Sequence, residues 1–339
     1  MQPSIAIINA SLVTGVGLNL ASCGAAILSS IDNFHESNFS DANGEPLISS
    51  EIDCLATTQG TQKLLELATL SLTQCIHDSD IPDLSSTPLY LCLPETGRVG
   101  RNLDDDGFFE LLEKKTGVMF GSGSRVLDHG HTAVAVALKH ARTAIGENHA
   151  EHILVCGVDS YLSQETLHHY EQQERLLTSL NSNGFVPGEA AATLLISRVN
   201  SARHSGLMIE GLGFGMEKAF INSQIPLRAD ALKKSIDDAL LEAQIQMHQI
   251  DYRLADMTGE HYYFKEASLA LARTLRGKTD DMDLLHLTDC IGETGCVAGV
   301  ALLAYQFYLT SEKLSVGNNV LCHLSDTDGK RGAIVMQST

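Results

Sequence analysis

The chain alternates short runs of apolar and β-branched residues with longer segments in which apolar residues recur every three to four positions. A short apolar run is typical of a buried strand, and the longer period is typical of an amphipathic helix. The alternation therefore predicts an α/β protein with helices packed on a mainly parallel sheet. The predicted strands are Ser4–Ile8, Leu89–Leu93, His152–Val158, Ala192–Ser197, Leu207–Leu212, Leu284–Leu287, Asn319–Leu324 and Ala333–Met336. The predicted helices are Gly60–His77, Thr132–Ile145, Arg228–Gln246, Tyr263–Arg276 and Cys296–Leu309.

Two of these patterns bear on the architecture. The helix predicted from Thr132 is small or apolar nearly all round, so we expect it to be buried between layers. The run Leu207–Leu212 lies between Gly206 and Gly213, and this pattern of a strand followed by glycine also occurs at the first strand. The repeated pattern predicts two similar halves, residues 1–200 and 201–339, in one compact unit.

Composition and charge exclude several classes of protein. The 339 residues are 44% hydrophobic with a mean hydropathy of +0.01, which is ordinary for a globular protein. Acidic residues outnumber basic ones by 42 to 23, for a formal charge of −19. A nucleic acid or an anionic membrane surface would be repelled by such a protein, so neither is an expected partner.

The first basic residue is Lys63, so the basic segment of a secretory signal is missing. The apolar stretch Cys296–Tyr305 is too short to span a bilayer, and we expect a cytoplasmic protein with no membrane segment. The eight cysteines form no CxxC pair, which favours reduced and mostly buried thiols. We read the acidic run 104–106 as a solvated loop, not as a calcium site.

Three stretches resemble motifs of the β-ketoacyl synthases. Residues 183–192, NGFVPGEAAA, resemble the segment GFVxGEGAG, and residues 152–159, HILVCGVD, resemble the strand that ends in GGAE. Residues 287–299, LTDCIGETGCVAG, are similar to the stretch KSMTGHLLGAAG. The resemblance implies a thiolase-like fold over essentially the whole chain, with two similar α/β halves in α-β-α-β-α layers.

The same resemblance indicates where the chemistry of the family would lie. These enzymes use a cysteine nucleophile at a helix N-terminus and two histidines. The corresponding positions here are His131, Thr258 and Glu293, so all three catalytic side chains are replaced. The resemblance also implies a pocket formed by converging loops, for which the candidates are Glu260, His261, Asp328 and Gly329.

A narrower resemblance rests on residues 93–98 (LPETGR), on residues 259–262 (GEHY) and on Asp289-Cys290 with Gly292. These features resemble a group of short, degenerate thiolase-like proteins found beside type VI secretion genes. The resemblance implies a pseudoenzyme that acts as an adaptor in effector loading.

The residues themselves leave three interpretations of His131 open. At the positive end of a helix its imidazole should be neutral, and the preferred interpretation is a buried side chain that fills space. Alternatively, Glu293 or Glu260 could orient His131 as a base, which would make the protein an acyltransferase or a thioesterase. A metal bound by His129, His131, His261 and Glu293 is disfavoured because no compact ligand spacing is present, and we expect neither a metal nor a cofactor.

The expected partners follow from the resemblance. The family pairs equivalent strands across a two-fold axis beside the nucleophile loop, and Ser124–Leu127 occupies that place, so a homodimer is expected. A further protein partner, either a secretion adaptor or effector or an acyl carrier, is expected as well.

Overall fold

The apolar runs form strands and the periodic segments form helices in the computed structural model, which describes residues 4–79, 81, 83–199, 206–277 and 282–338. The strands are β1 (Ile5–Thr14), β2 (Phe34–Ser40), β3 (Pro46–Ser50), β4 (Leu89–Cys92), β5 (Arg125–Leu127), β6 (His152–Ser160), β7 (Glu189–Arg198), β8 (Leu207–Met216), β9 (Tyr252–Ala255), β10 (Leu284–Leu285), β11 (Asn319–Ser325) and β12 (Lys330–Ser338). The helices are α1 (Leu20–Leu28), α2 (Gly60–His77), α3 (Asp105–Thr116), α4 (Ala133–Gly146), α5 (Gln164–Gln172), α6 (Asp230–Ala243), α7 (His261–Thr274), α8 (Thr288–Ile291) and α9 (Val297–Ser311).

The main sheet repeats one strand order twice. From its centre outward, one side runs β1-β7-β6-β4-β5 and the other runs β8-β12-β11-β9-β10. In each set the first three strands are antiparallel and the last three are parallel. The two sets join where β1 pairs with β8 over Ile5–Ile7. The predicted boundary between residues 200 and 201 falls outside the described residues.

Helices cover and separate the strands in layers. Both α4 and α9 contact strands of both sets, and α9 is apolar and buried over most of its length. Helix α2 packs on β1, β6 and β7, whereas α6 packs on β8 and β12. The expectation of an α/β layered fold with a buried helix after Thr132 is confirmed.

The expectation of a mainly parallel sheet is wrong, because the sheet is mixed. Strands β11 and β12 are joined by the short turn Asp326–Gly329, and so short a connection permits only antiparallel pairing. Parallel pairing is confined to the four outer contacts of the sheet, between β4 and its neighbours and between β9 and its neighbours.

Two strands are longer than predicted because neighbouring helices accommodate the residues at which the hydrophobic pattern ends them. β1 continues through Asn9 and Ser11, which donate hydrogen bonds to the carbonyls of Cys75 and Ser71 on α2. β8 continues through Gly213, where a Cβ would collide with the carbonyl of Ser235. The glycine therefore lets α6 lie directly on the strand and does not end it.

The acidic run 104–106 is not a loop, because it begins α3. Asp104 is the N-cap residue, and Asp105 and Asp106 occupy the first helical turn. Carboxylates at that end favour the helix through its dipole. No helix within the described ranges is long and apolar enough to cross a bilayer.

Candidate functional site

A tight turn presents His131 at the start of α4. Residues Gly130–Thr132 form one turn of 3-10 helix that leads directly into the helix. Gly130 has a φ of 52°, and a Cβ at this position would collide with Oδ2 of Asp326. Only glycine fits both constraints, so residue 130 fixes the position of the next side chain.

His131 lies between two buried carboxylates. Its Nδ1 is 2.9 Å from Oδ2 of Asp256, and its Nε2 is 3.1 Å from Oε1 of Glu293. The three residues are between 3% and 5% exposed. We name these residues the His131 triad. It joins α4 to the end of β9 and to the segment between α8 and α9, so it connects the two halves of the sheet.

Backbone groups hold both carboxylates in place. The N–H of Ser325 donates to the carboxylate of Asp256 at 2.9 Å, and the N–H of Gly295 donates to Glu293 at 2.6 Å. The backbone of Glu293 is itself paired with the segment 186–188. Neither carboxylate can turn away from the imidazole without losing these bonds, so the His131 triad is a rigid unit.

The electrostatic environment makes His131 a cation. Burial alone would lower the pKa of His131, but Glu293 and Asp256 outweigh this effect and hold the pKa well above its usual value. Burial likewise opposes the charge of Glu293, yet His131 keeps the pKa of Glu293 below its usual value. The expectation of a neutral imidazole is therefore wrong, because a carboxylate faces each of the two ring nitrogens.

Thr258 and Glu260 belong to a neighbouring buried network. Arg175 donates to both carboxylate oxygens of Glu260, at 2.7 and 2.8 Å, and the hydroxyl of Thr258 donates to Glu260 at 2.9 Å. Glu260 thus forms its ion pair with Arg175 and not with His131, so of the two carboxylates expected to orient His131 it is Glu293 that contacts the imidazole. The charge of Arg175 also acts on Glu293, so the two networks are adjacent.

The four residues expected in a pocket have different surroundings. Glu260 is buried against Arg175, and Gly329 forms the turn between β11 and β12 with a φ of 96°. Asp328 lines a cleft beside that turn. His261 is exposed at the first position of α7, with its backbone N–H donating to the side chain of Asn183, and its place in a pocket stays a prediction. It begins a helix whose buried residues come later.

The cleft has a volume of about 540 Å³ and lies at the surface near the His131 triad. Glu95, Asp128 and Asp328 contribute carboxylates to its wall, and Arg98 and Arg175 contribute guanidinium groups. His131, Asp256 and Glu293 are not part of that wall. This cleft therefore does not expose the imidazole to a ligand.

The cysteines close to the site lack the character of a nucleophile. Cys296 is fully buried at the start of α9, and burial raises the pKa of its thiol well above the usual value. Burial also raises the pKa of Cys290, to about 11. Cys290 lies in the short helix α8. As predicted, most of the cysteines are buried, the exposed one being Cys54.

Asp256 and Arg175 are important site residues to which the sequence analysis assigned no role. Asp256 directly follows β9, and an acidic residue at the carboxyl end of a parallel strand is a pattern that points to a site. Arg175 follows a polar helix and has no comparable pattern. Among the residues that the structure describes, no group of three His, Cys, Asp or Glu side chains is arranged to hold a metal ion.

Comparisons with known proteins bear on the same region. Residues 127–202 match the family model of the β-ketoacyl synthase N-terminal domain. This segment begins at the last residue of β5 and contains the His131 turn, α4, β6, α5 and β7. No curated protein matches the sequence.

Solved ketosynthase structures superpose on nearly the whole chain. An oxazolomycin ketosynthase domain from Streptomyces albus is 14% identical with a TM-score of 0.80, and the match covers 99% of this chain and 75% of that one. The chain has the ketosynthase fold. A type II PKS acyl-carrier protein in complex with its ketosynthase gives 16% identity, a TM-score of 0.81 and complete coverage of both chains. The ishigamide ketosynthase/chain length factor gives 15% identity, a TM-score of 0.73 and 99% coverage of both.

Proposed function

We propose that this ketosynthase-fold protein does not condense acyl chains and works in the cytoplasm by binding another protein. The observation that carries the proposal is the His131 triad. At the position where the resemblance implies a cysteine, a buried and charged imidazole is held on both sides by carboxylates. We infer that an imidazole fixed in this way has a structural role.

The triad opposes condensing chemistry at each step. Condensation needs a thiolate that carries the acyl group and donors that stabilise a developing enolate. The protonated imidazole of His131 offers no free lone pair for attack, because one carboxylate faces each of its nitrogens. The ionised Glu293 would repel the negative charge of an enolate.

An acyltransferase or thioesterase is the alternative, and the 3.1 Å contact between His131 and Glu293 is what favours it. A general base, however, must lose its proton near neutral pH. The raised pKa of His131 and its burial both work against that role. We therefore prefer the binding function.

A protein partner is supported by the complexes in which solved proteins of this fold occur. Solved neighbours include a ketosynthase in complex with an acyl-carrier protein and a ketosynthase in complex with its chain length factor. An acyl carrier presents a phosphate group, and a basic patch on the surface of this chain would favour the binding of that group. Here Arg98 is paired with Asp159 and Arg101 with Asp105, so neither arginine forms a free patch.

We therefore favour a secretion adaptor or effector over an acyl carrier as the partner. The setting that we propose is effector loading in type VI secretion, and the support for it is the resemblance of residues 93–98 and 259–262. We also propose a homodimer that pairs through β5, which lies at one end of the sheet and pairs with β4 on one side only in the described chain.

Mass spectrometry of the intact protein tests the loss of chemistry. After incubation with acyl and malonyl thioesters we expect no added acyl mass on the native protein. The variant His131→Cys should gain at most a slow acylation, because Thr258 and Glu293 still cannot support decarboxylation. Release of a β-ketoacyl product by the native protein would overturn the proposal.

Two further measurements test the partners. Affinity purification from the native cell, followed by mass spectrometry, should recover a secretion adaptor or effector, whereas recovery of an acyl carrier alone would contradict the proposed setting. Light scattering should give about twice the chain mass of 36.5 kDa. A concentration-independent mass of one chain would rule out the dimer.

A further inference from the structure

The surface cleft of about 540 Å³ is built from five separate parts of the chain. Its wall includes the loop 95–99, Asp128, the segment 169–175 with Tyr170, the segment 220–222 and the turn 327–330. Its volume is enough for a small ligand or for one or two side chains of a partner. The charges on its wall indicate what it can receive.

The cations that line the cleft are each neutralised by a carboxylate of their own. Arg98 donates to Asp159 at 2.8 Å, Arg175 to Glu260 at 2.7 Å, and Lys330 lies 2.5 Å from Asp328. Two of these pairs, those of Arg98 and Arg175, are buried on both sides. The three cations therefore contribute no net positive charge to the cleft.

Within the described ranges, the remaining carboxyl groups of the cleft form no ion pair, although the charge of Arg98 acts on Glu95. Glu95 and Asp128 line it and form no ion pair among the described residues, and Asp128 accepts one hydrogen bond, from the hydroxyl of Thr96. Behind the wall Asp326 is 2% exposed, and its Oδ2 has no hydrogen-bond partner in the described chain. Burial raises the pKa of Glu95 and of Asp326, and each carboxyl responds to other buried charges of the site.

Carboxyl groups outnumber cations around the cleft. The buried carboxyl groups of Asp159, Asp256, Glu260, Glu293 and Asp326 and the half-buried one of Glu95 lie with the three cations His131, Arg98 and Arg175. One cation delivered to Glu95 would reduce this excess and would satisfy a carboxyl that now has no ionic partner.

Apolar groups complete the cleft. They are Val99, Tyr170, Phe220 and Ile221, and Phe220 is 40% exposed although it is a large hydrophobic residue. A ligand that carries a charge at one end of an aliphatic stem would cover these groups and reach Glu95 together.

We propose that the cleft receives a lysine or arginine side chain from an exposed segment of a protein partner, with its cationic head on Glu95 and its stem against Val99 and Phe220. The inference rests on the proposed binding function and adds the chemistry of the partner. A basic segment suits a chain with a formal charge of −19. A free polyamine fits less well, because its second ammonium would be set against the apolar wall.

Calorimetric titration with short peptides tests the inference. The probes are the blocked tripeptides Gly-Arg-Gly and Gly-Lys-Gly, the neutral citrulline analogue of the former, and spermidine. We expect the arginine and lysine peptides to bind at least about tenfold more tightly than the citrulline peptide, and to weaken as the ionic strength rises. Equal affinity for the arginine and citrulline peptides would overturn the inference, and so would tighter binding of spermidine.

Variants locate the site. Glu95→Gln keeps the shape of the side chain and should lower the affinity for the arginine peptide to that for the citrulline peptide. The matched control Glu110→Gln removes an equal charge from an exposed position on α3 and should leave the affinity unchanged. If urea unfolding showed Glu95→Gln to be misfolded, Asp128→Asn would replace it. Unchanged affinity in the folded cleft variant would overturn the inference.

The same variants separate this inference from the proposed function. Native protein that captures a partner, together with a Glu95→Gln variant that captures it equally well, would refute the cleft and leave the binding function intact. A β-ketoacyl product made by the native protein would refute the function itself.

Discussion

Replacing His131 by glutamine should destabilise the protein strongly and in a pH-dependent way. The native imidazole places a positive charge between Asp256 and Glu293, all three being buried. Glutamine can donate a hydrogen bond to one of the carboxylates but brings no charge. The variant therefore keeps two buried carboxylates without their cation.

The size of the effect follows from the cost of an uncompensated buried charge. Breaking a buried ion pair by removing one partner typically costs about 3 to 5 kcal/mol of unfolding free energy. Because the triad also ties α4 to the segments that carry Asp256 and Glu293, we expect the loss to lie within that range and not below it. The matched control is His149→Gln, since His149 pairs with Glu147 at the surface and is 71% exposed, and no measurable loss is expected there.

The pH dependence has a definite sign. The folded-state pKa of His131 is raised from 6.5, so its contribution to stability is complete below about pH 6.5 and is lost as the pH rises through the folded-state value. The pKa of Glu293 is lowered from 4.5, so its contribution is complete above about pH 4.5 and is lost as the pH falls through the folded-state value. The cost of His131→Gln should therefore be largest between these limits.

Urea unfolding followed by circular dichroism, at several pH values, measures this difference. Above about pH 6.5 the difference in unfolding free energy between the native protein and the variant should decrease, by up to about 1.4 kcal/mol for each pH unit. Nitrogen-15 NMR of the imidazoles should show one histidine still protonated at about pH 7.5, and that signal should be absent from the variant. A gap that does not change with pH, together with a neutral His131 at neutral pH, would refute the reasoning.

Three other expectations concern packing and reactivity. Arg331→Met should cost about 3 to 5 kcal/mol of unfolding free energy, because it leaves the carboxylate of Glu266 unpaired and both side chains are completely buried. Adding Glu266→Gln should recover more than half of this loss, as measured by urea unfolding. No recovery would contradict this account. Gly130→Ala should lower the unfolding midpoint far more than Gly117→Ala, because both positions have positive φ but only at Gly130 would the new Cβ collide, with Asp326; equal effects would show that the collision is relieved. A thiol reagent should modify one cysteine per native chain quickly, and Cys54→Ser should abolish the fast phase because the other seven cysteines are buried; a second fast thiol would contradict the packing described.

The hydrophobic pattern determined the elements wherever local and tertiary preferences agree. Helix α2 has the predicted bounds, and α4 and α9 begin and end within two residues of theirs, because a sustained helical period needs no distant partner to be evident. The pattern failed at Asn9, Ser11 and Gly213, since what keeps these residues in strands is a neighbouring helix that the local sequence does not show.

For the site, the sequence by itself predicted a buried helix next to His131, and its resemblance to the β-ketoacyl synthases led us to expect that the condensing side chains are replaced. Motif spacing also indicated Glu293, which lies 3.1 Å from His131 across 162 residues of chain. Only the tertiary structure decided the charge of His131, because that charge depends on Asp256 and Glu293 acting together across the two halves of the sheet. Only the tertiary structure likewise decided the ion pair of Glu260, because its partner Arg175 is 85 residues away in sequence. Both a pKa and an ion pair depend on distances in space, and those distances exist only once the chain has folded.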